Sequence, residues 1–175
     1  MTQSIFKIKR TFLIPFITVV VLLFLLFLIS LFKGQMLEKI ILAVSFAITL
    51  FIAVEATKRK IIVTNEGLKI EKFFRIKELT WAEITQLGVV ILRNKIYFIL
   101  TTTKGFYFFS NLLENHALLI RSLVDKVENE KVEIEVKNYL ENPVEQRSLI
   151  VMCWFGVLIC TAFIILKVLS FQVGN

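Results

Sequence analysis

The chain has 175 residues, of which 57% are hydrophobic, and a mean hydropathy of +0.76, a composition that argues against an ordinary soluble domain. The formal net charge is +7, but the basic residues form no arm interleaved with aromatic residues, which argues against nucleic-acid binding. Only two cysteines occur, so the sequence contains no disulfide framework.

Three apolar runs, at residues 13–32, 40–54 and 149–166, dominate the chain. Each approaches the roughly 20 residues that a helix needs to cross a bilayer. The first run is longer than the apolar core of a signal peptide and lacks a small-x-small cleavage site, so we interpret it as a retained span. A turn at Gly34 then makes the first two spans, at about 13–32 and 39–56, an antiparallel hairpin within an N-terminal part, residues 1–56.

The distribution of Lys and Arg predicts the orientation of the spans. Basic residues precede the first span and follow the second, whereas the hairpin turn and the C-terminus carry few. By the positive-inside rule, the N-terminus and the polar middle region are expected in the cytoplasm, with the C-terminus outside an inner (plasma) membrane.

The polar middle region, residues 57–127, alternates apolar and polar residues as half-buried strands do. The sequence predicts an antiparallel meander of six short strands at residues 61–64, 68–73, 76–80, 86–93, 95–102 and 106–109, with turns at 65–67, Asn94 and 103–105. An apolar stripe from Leu113 to Val127 predicts one helix, capped at Ser110 or Asn111 with Glu114 in capping-box position, that covers the sheet.

The charged connector, residues 128–147, is ambiguous. Residues 132–136 alternate like a strand, but the abundance of Glu and Lys equally suits a helix over residues 128–141. Pro143 marks a break before the third span, residues 148–169, and a short tail at 170–175.

These patterns resemble the bacterial pleckstrin-homology-like (PH-like) domain membrane proteins. The resemblance rests on the membrane hairpin, the turn TNEGL at 64–68, the W-x-E-I element at 81–84 and YFFSN at 107–111 before the helix. It implies an α+β membrane protein: an N-terminal transmembrane hairpin, a small antiparallel β PH-like domain closed by one helix, and here a third transmembrane helix, which departs from the simplest arrangement. In eukaryotic members of the fold, basic residues in the first loop hold inositol phosphates; the short acidic loop at 65–67 argues against that binding here.

No motif predicts catalysis, a metal site or a cofactor. His116 is the only histidine and lies beside the apolar stripe of the predicted helix, without a cluster of other ligand residues. We therefore expect a non-enzymatic protein without cofactors, in which His116 is a structural residue.

Small residues in the second and third spans predict close helix packing. The residues in question are Ala43, Ala47, Cys153, Gly156 and Cys160. They suit packing of span two on span three within one chain, or contact between copies, and leave the first span facing lipid. The two cysteines are too far apart along a helix to bond to each other.

Two functions are compatible with this organisation. The leading one is protein–protein contact by the PH-like domain, in particular self-assembly or scaffolding. The alternative is recognition of anionic lipid, because residues 57–107 carry ten Lys/Arg against four Glu. The candidate lipid-facing residues are Lys58, Arg59, Lys60, Lys72, Arg75 and Lys77.

Overall fold

The computed structural model describes residues 3–73, 75–92 and 95–173, and its fold is α+β. Within these residues there are five α-helices: α1 Arg10–Lys33, α2 Met36–Lys58, α3 His116–Val124, α4 Ile134–Glu141 and α5 Ser148–Val173. The strands are β1 Ser4–Lys7, β2 Lys60–Val63, β3 Gly67–Lys72, β4 Arg75–Thr80, β5 Ile84–Leu92, β6 Lys95–Thr102 and β7 Gly105–Ser110. The turn predicted at Asn94 lies outside the described residues.

The chain divides into two compact units. One, the module, comprises Met1–Lys9 and Lys58–Arg147; the other, the helical unit, comprises Arg10–Thr57 and Ser148–Asn175. In the helical unit α1, α2 and α5 are each long and apolar enough to cross a membrane, at the three places where the sequence predicts spans.

Within the helical unit, α5 packs mainly against α1, whereas the sequence favoured the second span as its neighbour. Gly156 permits this approach, because a Cβ at that position would lie 3.3 Å from Cγ2 of Val19. The sequence predicts that the first span faces lipid, whereas α1 packs against α5 and buries Val20 and Leu26 while many of its other apolar residues are exposed. Small residues indicate that helices come close, but they do not identify which helix approaches.

The second helix makes different contacts. The rings of Phe24 and Phe46 join α1 to α2 at 5.2 Å, and Glu38 forms an ion pair with Lys167 near the end of α5. Ala43 is half-buried and Ala47 exposed, while Cys153 and Cys160 are half-buried free thiols on the side of α5 that also carries Gly156.

The module contains a four-stranded antiparallel sheet, in the order β1-β2-β3-β4, and a three-stranded antiparallel sheet, in the order β5-β6-β7. The six strands predicted after the second span are present as β2 to β7. The first strand was not predicted, because residues 1–56 were assigned to the membrane part. Ser4–Lys7 instead pairs with β2 and buries Phe6, while Ile5 points outward.

The predicted helix begins later than the sequence indicated. Residues 110–115 turn and bond to the N-terminal segment: Glu114 N donates to Lys7 O at 2.7 Å, and Ile8 bridges to Leu113. The residue before α3 is Asn115, in the left-handed conformation. The prediction that Ser110 or Asn111 caps the helix is therefore wrong. The backbone of this turn bonds instead to β1 and the residues that directly follow it, and β1 was not predicted.

The connector is mainly helical. Val132 makes a single parallel bridge to Leu87 on β5, and α4 follows at Ile134–Glu141. The buried core of the module comprises inward-facing residues of both sheets, α3 and α4, and its largest fully buried side chains include Phe98, Phe109 and Leu123.

Candidate functional site

The six basic residues proposed to face lipid gather at one end of the four-stranded sheet. Lys58 ends α2, so this is the end at which the chain leaves that helix. The antiparallel register places Lys60 opposite Glu71 and Lys72 opposite Arg75. The structure therefore brings together residues that are up to 19 positions apart in the sequence.

The strand alternation then separates these residues onto two faces. Lys60 lies on one face and forms an ion pair with Glu71 at 3.1 Å, which leaves little charge for another ligand. The opposite face carries Lys72, Arg75 and Lys77, which continue the face that Ile70 occupies, because Ile70 and Lys77 are directly opposed. We call Lys72, Arg75 and Lys77 the basic triad.

The side chain of Arg59 is not part of the basic triad. Its Nη2 donates a hydrogen bond to the backbone oxygen of Phe108 at 3.3 Å. This contact ties the start of the four-stranded sheet to β7 of the other sheet.

The three-stranded sheet has an open apolar face, which we call the aromatic groove. The register aligns Gly88, Ile99 and Phe108 across the three strands of this face. Phe106 is 67% exposed and Phe108 is 51% exposed, whereas Phe109 points into the core. The groove has a volume of about 420 Å³, and its lining includes Gly88, Val90, Ile99, Phe106, Phe108 and Glu133.

The carboxylate of Glu133 lies in the aromatic groove. Gln86 Nε2 donates to Oε1 of Glu133 at 2.7 Å, and Glu133 N donates to Leu87 O at 3.0 Å. The side chain folds over Gly88, where a Cβ would come within 2.5 Å of Oε2. Glycine at position 88 therefore makes room for the carboxylate, and the backbone and Gln86 hold it in place.

A second polar feature, which we call the polar cluster, comprises Asn111, His116 and Tyr139. Asn111 Nδ2 and the Tyr139 hydroxyl both donate to the backbone oxygen of Val144, at 3.0 and 3.2 Å. His116 is 5% exposed, and within the described residues neither ring nitrogen makes a hydrogen bond of normal geometry. The cluster therefore holds the segment that leads into α5.

Burial shifts the pKa values of Tyr139 and His116, the two ionisable residues of the polar cluster. Burial raises the pKa of Tyr139 to about 12, so its hydroxyl remains a hydrogen-bond donor at neutral pH. Burial, and then the charge of Lys9, lower the pKa of His116, while Glu145 and the backbone of Leu113 act in the opposite direction. Lys9 itself pairs with Glu145 at 3.1 Å, and this hydrogen bond lowers the pKa of Glu145.

The buried neutral imidazole predicts a loss of stability in acid. As pH falls below about 6.5, the unfolded chain gains a proton that folded His116 resists, so stability decreases by up to about 1.4 kcal/mol per pH unit until the lowered pKa is reached. Thermal unfolding of the full chain in detergent at pH 8 and pH 5.5 checks this. The variant His116→Gln is expected to show a smaller pH dependence; an unchanged dependence would assign the effect to other groups.

Sequence reasoning missed the aromatic groove and the polar cluster. Phe106 and Phe108 had the period-two spacing of a sheet face, which could have indicated an apolar surface, but Glu133 lay in the ambiguous connector. Within the described residues, no group of three His, Cys, Asp or Glu side chains could hold a metal ion. The two surfaces described above are an apolar groove that contains the carboxylate of Glu133, and a patch of three cations.

Comparison with protein-family models, with curated proteins and with solved structures finds no match to this chain.

Proposed function

We propose that this chain is a non-enzymatic integral membrane protein whose PH-like module mediates protein–protein contact, chiefly self-association. The module is proposed to lie in the cytoplasm, on the side to which the Lys/Arg distribution assigns it. Two antiparallel sheets followed by a helix are compatible with the PH-like resemblance, with β1 contributed from before the membrane hairpin.

The observation that carries the proposal is the exposed apolar face of the three-stranded sheet. Phe106 and Phe108 present aromatic rings to solvent around a groove, and β7 is an edge strand beside them. Exposed contiguous apolar surface and open strand edges are features of protein interaction sites. Attachment of the module at Lys9, Lys58 and Arg147 suits a fixed scaffold, since both of its chain segments continue into apolar helices.

Light scattering on the full chain in neutral detergent tests the proposal. We expect a protein mass above the 20.3 kDa of one chain that increases with concentration. The double variant Phe106→Ser, Phe108→Ser is expected to shift the mass toward one chain, because it removes the apolar contact surface. Leu118→Ser, at an exposed apolar residue of α3 outside the groove, is the matched control. A single-chain mass at all concentrations would overturn the proposal.

Recognition of anionic lipid is a second candidate for the basic triad. The strand register favours it by bringing Lys72, Arg75 and Lys77 together at the end of the sheet where the chain leaves α2. Each such residue contributes about 1 kcal/mol near an anionic surface.

Thermal unfolding in nanodiscs tests this candidate. Adding phosphatidylglycerol to a phosphatidylcholine bilayer is expected to stabilise the wild type more than a variant with alanine at all three triad positions. A control variant with alanine at Lys126, Lys131 and Lys137 is expected to respond as the wild type does. Equal responses from all three proteins would dispose of lipid binding by the triad.

A further inference from the structure

We propose that the aromatic groove of one copy binds the basic triad of a second copy of this chain. This inference rests on the proposed self-association and specifies which surfaces meet. Because the groove and the triad are different surfaces, the contact is heterologous: each copy offers a groove to one neighbour and a triad to another.

The groove has the chemistry to receive a long cationic side chain. The carboxylate of Glu133 is held by Gln86 at 2.7 Å, so it is already oriented before a ligand arrives. Rings of Phe106 and Phe108 line the same groove and can cover the apolar stem of Lys or Arg. A guanidinium or ammonium group that enters between them gains a charge-assisted hydrogen bond and contact with aromatic faces.

The basic triad supplies such side chains. Arg75 and Lys77 are exposed on β4, which is an edge of the four-stranded sheet. Within the part of the chain that the structure describes, neither forms an ion pair, whereas Lys60 and Lys69 on the other face pair with Glu71 and Glu78. Arg75 and Lys77 therefore carry positive charge that no ion pair within the described residues neutralises.

The charge distribution favours contact between copies. Residues 57–107, which include the triad, carry ten Lys/Arg and four Glu, a net of about +6. Residues 108–148, which include Glu133, carry five Lys/Arg and eight Asp/Glu, a net of about −3. The groove is lined by residues of both stretches, and its described charged side chain is Glu133, whose negative charge is opposite to that of the triad and favours the orientation that joins groove to triad.

Both surfaces adjoin the start of β2. The triad lies at the sheet end that contains Lys60, and Arg59 bonds to Phe108 in the groove. Both surfaces are therefore parts of the module, near the residues that directly follow α2.

A mixing experiment with two full-length variants in neutral detergent without lipid tests the inference. Glu133→Lys alters the groove and leaves the triad intact, while Arg75→Glu alters the triad and leaves the groove intact. Each variant alone is expected to associate at least ten-fold more weakly than the wild type. An equimolar mixture retains one intact groove and one intact triad, and its second contact joins the two reversed charges, so light scattering is expected to recover complexes of two or more chains.

Matched controls separate this contact from a general effect of charge. Glu135→Lys and Lys137→Glu make the same charge changes on exposed positions of α4 and are expected to associate as the wild type does. The variant Glu133→Gln keeps the size of the side chain and removes only its charge, and it is expected to weaken association if the module remains folded.

The outcomes distinguish the two proposals. If the wild type associates and both Glu133→Lys and Arg75→Glu associate equally well, the groove–triad contact is wrong but self-association stands. If the wild type has the mass of one chain throughout, self-association itself fails. If both variants weaken association but their mixture does not recover complexes of two or more chains, the heterologous pairing is overturned.

Discussion

Replacing Phe98 with alanine is expected to destabilise the module by about 3–5 kcal/mol. Phe98 lies on β6, is 1% exposed, and meets the ring of Tyr139 edge-on at a centroid distance of 5.0 Å. The substitution removes buried apolar surface and leaves a cavity between the three-stranded sheet and α4. It also withdraws a neighbour of Tyr139, whose hydroxyl holds the Val144 carbonyl.

Hydrogen exchange of the β6 amides in the full chain measures this loss, because those amides exchange when the module opens. Leu118→Ala is the control: truncation of an apolar side chain that is 55% exposed and lies outside the groove is expected to alter the free energy of opening by less than about 0.5 kcal/mol. Equal effects of the two substitutions would show that Phe98 is not part of the core.

Substitution of Gly67 by alanine is expected to cost about 3 kcal/mol. A Cβ at this position would lie 2.0 Å from the backbone oxygen of Leu79 on the neighbouring strand, so β3 and β4 must separate. The turn cannot absorb the shift easily, because Thr64 N and Thr64 Oγ1 both donate to the oxygen of Gly67 at 2.9 Å.

Thermal unfolding of the full chain checks the Gly67→Ala prediction. Glu66→Ala changes an exposed neighbour in the same turn and is expected to leave the unfolding temperature almost unchanged. If Gly67→Ala unfolds at the wild-type temperature, β3 and β4 are not paired as closely as the structure places them.

The helical and strand elements were predictable where the hydrophobic period was long. The three long apolar helices follow from runs of apolar residues, and β3 follows from the alternation over residues 68–73. The strand β1 was not predicted, because it has only four residues and lies just before an apolar helix. Its partner β2 is more than 50 positions away, and such pairing leaves no local pattern.

The candidate site was predictable only in part. The basic residues were recognisable as a group, but their division between two faces depends on the register that opposes Lys72 to Arg75. The carboxylate of Glu133 reaches the aromatic groove because the connector returns to β5 and Gly88 leaves space. Neither the contact between the connector and β5 nor the room beside Gly88 can be predicted from the residue types alone.

Gly156 illustrates the same limit in the helical unit. A small residue predicts that another helix comes close, and Val19 of α1 does so. The choice of α1 over α2 depends on how all three helices pack, which the spacing of small residues in one helix does not determine.

Self-association within a bilayer is the central claim, and energy transfer between differently labelled copies in liposomes tests it most directly. At constant labelling, we expect transfer to persist as lipid is added in excess and to fall when unlabelled wild-type protein is reconstituted with the labelled copies. Copies that carry Phe106→Ser and Phe108→Ser are expected to lose transfer on lipid dilution. Transfer by the wild type that falls with dilution to the value for randomly distributed labels would contradict the account.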